Sequence, residues 1–208
     1  IPLCLVGSEM CIRDRLLAKG HHFPNVTLVG IVDADSGLFS ADFRGSERVA
    51  QLMTQVSGRA GRDKKQGRVI LQSYCTDHPQ IEEIISGSYE RFAQKLLEER
   101  KISNIPPFSF QAKIFAESPK SLVSRDFILN LLNRSRIDEK TRKNVRLVGP
   151  LPSIMEKKSG VYRWELSIFS KSRSNLHKFL DVMQSRLYDP KLSKQVRWSI
   201  DVDPLSSL

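Results

Sequence analysis

The chain has 208 residues, 40% of them hydrophobic, and a formal charge of +10. That length accommodates one or two hydrophobic cores at ~100–150 residues per domain. No apolar run approaches the ~20 residues needed to span a bilayer, and Ile1–Gly7 is too short and lacks the basic leader of a secretion signal. The three cysteines, Cys4, Cys11 and Cys75, form no C-x-x-C pair, which excludes a zinc ribbon or a dithiol redox motif. Cys75 reads as a small buried residue. Charge is unevenly placed. Up to Ile105 there are 14 Lys and Arg against 13 Asp and Glu, whereas from Pro106 onward there are 19 against 10. A basic half beside a neutral half points to a polyanionic partner for the C-terminal portion.

In chain order, Val26–Val32 is an apolar, β-branched run closed by Asp33-Ala34-Asp35, the pattern of a buried parallel strand with polar groups at its C-terminal edge. A helix is predicted over Ser46–Val56, capped by Ser46, with Val49, Leu52, Met53 and Val56 at helical spacing. After the charged turn Asp63–Gly67, Arg68–Gln72 alternates as a second strand. This strand, helix, strand order suits half of an α/β lobe. His78-Pro79 opens a helix over Gln80–Ser86, and Tyr89–Lys101 forms a longer one with Phe92, Leu96 and Leu97 toward a core and Glu98–Lys101 as a solvated end. Ser103–Pro107 stops that helix and serves as a linker.

Beyond the linker the pattern changes. Phe108–Ala116 reads as a strand, and Ser121–Asn133 as a helix with apolar Leu122, Ile128, Leu129 and Leu132. Val145–Leu151 and Tyr162–Ser170 read as strands, with Lys157–Gly160 as a basic turn. Asn175–Leu187 is a predicted helix and Val196–Val202 a final strand. The order β-α-β-β-α-β matches a split-βαβ, ferredoxin-like arrangement, a fold that hosts many functions. The fold class expected is therefore α/β followed by α+β.

The most informative segment is Gln55–Arg62, which reads Gln-Val-Ser-Gly-Arg-Ala-Gly-Arg. Arg59 and Arg62, three apart, lie on one face of a helical turn. Gly58 and Gly61 remove side chains beside them, so the backbone can approach another surface. Two planar, permanently charged forks suit a polyphosphate. The plainer alternatives are a solvated basic helix end, or an Arg59 that only pairs with a neighbouring carboxylate such as Asp33 or Asp35. In the basic half, Lys157, Lys158 and Arg163 lie beside Tyr162 and Trp164. Basic groups hold phosphates and aromatics stack on bases. Strand alternation places Tyr162 and Trp164 on one face and Arg163 on the other, so at least one of those aromatics belongs to the core. His21-His22 reads as a polar loop, since adjacent positions share no helix face.

The octet resembles motif VI of the superfamily 2 helicases, Q-x-x-G-R-x-G-R. Leu17–Pro24 and Val26–Asp35 resemble motif V and its following strand. With Leu38–Arg44, Pro106-Pro107-Phe108, Gly149-Pro150, Trp164 and Trp198–Pro204, they resemble the primosomal protein N′ family of bacterial replication-restart helicases from about Leu16 onward. The resemblance implies residues 16–104 as the later part of a second RecA-like lobe, and residues 105–208 as a basic domain binding DNA and partner proteins. It also implies an ATP-dependent 3′-to-5′ DNA helicase acting at stalled or forked DNA, with ATP and Mg2+ as cofactors. Arg62 would be the arginine finger and Arg59 its phosphate-side or inter-lobe partner. Gln55 would sense the nucleotide, with Gly58 and Gly20 beside it. Lys19 would contact DNA from the motif V loop, as would Lys157, Lys158 and Arg163 in the basic domain. Arg173 aligns with a pocket for the acidic tail of single-stranded-DNA-binding protein. Other primosome proteins are implied partners, the compartment is the bacterial cytoplasm with nucleoid association, and structural zinc is expected only upstream.

Two departures matter. Residues 1–15 do not follow the family, because Cys11–Arg15 stands where Gly-Thr-Gln-Met is expected. They resemble adapter read-through at the end of a truncated gene model and are set outside the fold, with a divergent strand over Ile1–Val6 as the alternative. No G-x-x-x-x-G-K-[ST] loop or DEAD-like box occurs, so the chain is expected to be the C-terminal part of something longer and inactive alone. The competing function is a non-enzymatic basic nucleic-acid-binding module.

Overall fold

The computed structural model describes residues 3–6, 11–12, 28–40, 42–57, 68–86, 88–134, 138–188 and 195–205. The chain divides into two compact units, Ile1–Glu98 and Glu99–Leu208.

In the first unit, β1 (Leu3–Val6), β2 (Cys11–Ile12), β3 (Leu28–Ile31) and β4 (Arg68–Leu71) form a sheet in the order β2-β1-β3-β4. The expected parallel pairing is present: β3 runs parallel to β4, with Val29 opposite Val69 and Ile31 opposite Leu71. The segment expected outside the fold supplies β1, antiparallel to β3, and β2, antiparallel to β1. Past β3 the chain forms a short helix that periodicity does not announce, α1 (Asp35–Leu38).

Helix α2 (Gly45–Ser57) follows, and Ser46 is not its cap. Asp42, upstream and buried, accepts from the Arg44 amide with its carboxylate (3.1 Å) and from the Gly45 amide with its carbonyl (2.8 Å). Ser46, already inside the helix, donates instead to the Leu38 carbonyl. Gly45 is required by close approach, since a Cβ there would lie 2.3 Å from the Gly37 carbonyl oxygen.

Helix α3 (Pro79–Ile85) is capped by His78, whose Nδ1 accepts from the Gln80 amide at 3.3 Å, with proline in the first turn. In α4 (Tyr89–Ser103), Phe92 and Leu96 are buried with Ala50 as expected, whereas Leu97 is 41% exposed. Leu97 lies one residue, about 100°, past the buried stripe. Cys75 is likewise exposed rather than buried, on the turn after β4, where its amide donates to Ser73 Oγ.

In the second unit, β5 (Phe110–Ser118), β6 (Arg146–Lys158), β7 (Val161–Ser170) and β8 (Arg197–Val202) form an antiparallel sheet in the order β6-β7-β5-β8. Helices α5 (Ser121–Arg134) and α7 (Arg173–Leu187) pack on one face of it. The core joins Ala112, Ile114 and Ala116 of β5, Leu166 and Ile168 of β7, Ile128 and Leu131 of α5, and Phe179 and Met183 of α7. Each such fully buried large apolar side chain contributes about 1.5–3 kcal/mol. On α5 the buried stripe is Ser124, Phe127, Ile128 and Leu131, leaving Leu122 and Leu129 exposed. Basic α6 (Glu139–Lys143) was not foreseen; Asp138 caps it by accepting from the Thr141 amide at 2.9 Å.

Strand β6 does not stop at Leu151 but continues to Lys158. It lies at the sheet edge, where the missing N–H groups of Pro150 and Pro152 leave no ladder partner unsatisfied. The irregular pairing falls between Val148 and Leu151 and between Pro152 and Lys157. The hairpin then closes through Ser159 (φ 50°) and Gly160 (φ 83°), both left-handed as a type I′ turn demands.

Candidate nucleic-acid interface

The far end of the β6–β7 hairpin brings Lys157, Lys158 and Tyr162 together. Lys157 pairs across the strands with Tyr162 and Lys158 with Val161. The Lys157 ammonium lies 5.0 Å from the Tyr162 ring centroid, within the range of a cation–π contact. Both lysines are exposed, so their charges face solvent at the hairpin tip. Trp164 is the aromatic that belongs to the core: it packs against the helix-covered face and its Nε1 donates to Ser121 Oγ at 2.9 Å.

Arg163 faces the other side of the sheet. Its Nε donates to Glu117 Oε1 at 2.9 Å, with both side chains mostly buried. Beside it, Lys113 Nζ donates to Glu165 Oε1 at 2.8 Å, with side-chain exposures of 6% and 14%. Phe115 lies between the two pairs, with each cation 6.0 Å from its ring centroid. Alternation in Gln111–Glu117 was the available signal that this face carries charge; it did not say that the charges pair out of water.

Arg173 stands at the opposite end of the sheet, at the start of α7. Its Nη2 donates to Asp203 Oδ2 at 3.1 Å, and its guanidinium lies 5.1 Å from the Phe110 ring centroid. The Arg146 guanidinium, at the start of β6, lies 4.7 Å from the Phe169 ring centroid and donates to the Ser103 and Asn104 carbonyls. Sequence reasoning did not single out Arg146. An arginine opening a strand carries no local signal that an aromatic from another strand lies beneath it.

In the first unit, the C-terminal edge of the parallel pair is where ligands bind in open α/β sheets. Asp33 adopts φ 60° and accepts from the Ser36 amide at 3.1 Å. Asp35 accepts from Ser73 Oγ at 2.7 Å and from the Tyr74 amide at 2.9 Å, contacts that hold its carboxyl below the usual carboxylate range. Gln55 is exposed near the end of α2. Gly20, Lys19, Gly58, Arg59 and Arg62 lie outside the described residues. Among the described residues no three His, Cys, Asp or Glu side chains gather as metal ligands, and no helix is long and apolar enough to cross a membrane.

A family model described as the primosomal protein N C-terminal domain matches residues 101–205. A replication restart protein PriA from Haemophilus influenzae is 42% identical over 198 residues, covering 95% of this chain and 26% of that protein. The PriA proteins of Rickettsia conorii and Bacillus subtilis are 38% and 32% identical, each over 95% of this chain and over 29% and 24% of their own lengths. The chain thus spans about a quarter of the length of these relatives.

Proposed function

This chain belongs to the PriA family of replication restart proteins, and from that premise we propose that it carries the later part of a helicase's second RecA-like lobe joined to a DNA-binding domain. The Gln55–Arg62 octet carries the reading. Its first three residues close α2, which packs against β4, and it is the resemblance to motif VI that points its arginines toward a nucleotide. Arg62 would meet the γ-phosphate as charge moves in the transition state, with Arg59 beside it; a finger of this kind is worth ~10³–10⁵ in rate. ATP and Mg2+ would be held chiefly by a first lobe, since this sequence contains no phosphate-binding loop. Of the residues assigned toward the nucleotide, Gln55 alone is described.

For the second unit, the antiparallel order β6-β7-β5-β8 with α5 and α7 on one face supports the ferredoxin-like arrangement. Its basic surface, including Lys157 and Lys158, would grip the phosphates of forked DNA. Arg163 would act less directly, through the sheet it braces. Arg173 would receive the acidic tail of single-stranded-DNA-binding protein, and other primosome proteins would assemble on the same domain in the bacterial cytoplasm.

The test is ATPase activity of this chain with and without forked DNA, alone and mixed with a first lobe from a relative. No turnover alone and arginine-dependent turnover in the mixture are expected, with Arg62→Ala abolishing it. DNA-stimulated turnover by the isolated chain would overturn the half-site reading. A second reading, a non-enzymatic basic binding module, draws on the charge concentrated after Pro106. It predicts DNA binding with no arginine-dependent turnover in the mixture.

A further inference from the structure

The start of β6, the end of α6 and the start of α7 enclose a cleft of about 330 Å3, at the small end of the ~300–1,000 Å3 range of ligand clefts. Three cations line it, Lys143, Arg146 and Lys171, and no carboxylate does among the described residues. Among the described residues Lys143 pairs with Glu139, a contact in which both side chains are more than 70% exposed and which water largely screens. Lys171 is exposed and takes part in no ion pair among the described residues.

Arg146 is held in place at one nitrogen. Its Nη2 gives hydrogen bonds of 3.2 Å to the Ser103 and Asn104 carbonyls while the guanidinium stacks on Phe169. A guanidinium has five N–H donors, so fixing it this way orients the remaining ones without neutralising the charge. Asn175 also lines the wall. Positive charge, fixed donors and the lack of a competing acid are the requirements of an oxyanion site.

We propose that this cleft seats a backbone phosphate of nucleic acid, as a second grip separate from the hairpin lysines. The proposal rests on the DNA-binding reading given above. Val145 and Phe169 are the apolar residues in the described lining, and Phe169 lies under Arg146. An acidic peptide with apolar anchors therefore finds little seat here, whereas a phosphodiester needs only charge and donors. The two grips are independent in space. Arg146 pairs with Phe169 and Lys158 with Val161, which sets them eight residues apart along β7, about 27 Å at ~3.4 Å per residue.

The experiment measures binding of the full chain to a fluorescein-labelled forked duplex by anisotropy across a salt series, with backbone amide NMR shifts as a direct readout. The variants are K143E/K171E at the cleft and K157E/K158E at the hairpin. K120E/K178E, at two exposed lysines outside the lining, controls for net charge. The cleft double variant should bind about tenfold more weakly at low salt and lose one to two phosphates' worth of salt slope, at about 0.9 each. DNA should shift the Lys171 and Asn175 amides in the wild type.

Wild-type binding with K143E/K171E indistinguishable from K120E/K178E would overturn the proposal alone. Absence of wild-type binding would overturn the DNA-binding reading and the proposal with it. If an acidic peptide moves the Lys171 and Asn175 amides while duplex leaves them in place, the cleft is a protein-docking site and the proposal fails.

Discussion

In residues 99–208 the strands are 6 to 13 residues long, and two helices close an apolar core on one side of them. In residues 1–98, β3 and β4 are four residues each, and Ile70 and Val32 stand 57% and 40% exposed. The difference follows from pairing. An antiparallel sheet can bury one face and leave the other polar, whereas parallel strands ordinarily need cover on both faces. The second unit, being antiparallel, covers its one apolar face from one stretch of chain. In the first unit Val69 and Leu71 of β4 line a space of about 280 Å3 with residues of α2, α3 and α4, and Ile70, on the opposite face, is exposed among the described residues.

The comparison can be pressed first at the charged face of the second unit. Lys113→Met should lower stability by about 3–5 kcal/mol, because it leaves the buried Glu165 carboxylate uncompensated. Denaturant unfolding with hydrogen exchange should place the loss in residues 99–208. The double variant Lys113→Met/Glu165→Leu should recover most of it, and a single variant as stable as the wild type would show that the pair is wetter than its burial implies.

In the first unit the sensitive point is a backbone contact. Gly45→Ala should cost about 1–3 kcal/mol, because the methyl would meet the Gly37 carbonyl oxygen and Ser40 Cβ. Thermal unfolding reads this, and the exchange loss should fall on α1 and α2. An unchanged midpoint would mean that α1 moves aside freely.

Smaller still is Arg173→Ala, whose ion pair with Asp203 has side-chain exposures of 62% and 48%; less than about 1 kcal/mol is expected. Any larger effect should appear in partner binding rather than in unfolding.

Acid gives the mildest test. Hydrogen bonds from Thr141, side chain first and then amide, hold the Asp138 carboxyl below its ordinary range. A depressed folded pKa means that this contribution is full above the unfolded value of about 3.9 and is lost as pH falls through the lower folded value. Amide exchange in α6 should therefore rise below about pH 4, while β5 and β7 stay protected. Equal protection of α6 at neutral and acid pH would remove Asp138 as its cap.

Much of this was legible because it is local. The parallel strand within Val26–Val32, the stop after Ser103 and the turn that closes the predicted Lys157–Gly160 segment are written in neighbouring residues. Helix α1 was missed because four residues hold too little periodicity, and the length of β6 because its prolines read as a stop until the strand is known to be an edge. Leu97 and Leu122 have the composition of core residues, but the direction in which a helix faces is set by what packs on it.

The sequence by itself determined the family, the basic sign of the second half and the order of its strands and two packing helices, since composition, motif and periodicity are properties of adjacent residues. Only the tertiary structure decided which charges are available. Lys113 and Lys157 are alike as letters. One is sealed against Glu165, 52 positions away, and the other lies open at a hairpin tip. Arg146 gains its fixed orientation from Phe169 and two carbonyls of another segment. The physical reason is that desolvation depends on which distant strands pair, and pairing register follows from the whole sheet rather than from any one segment of it.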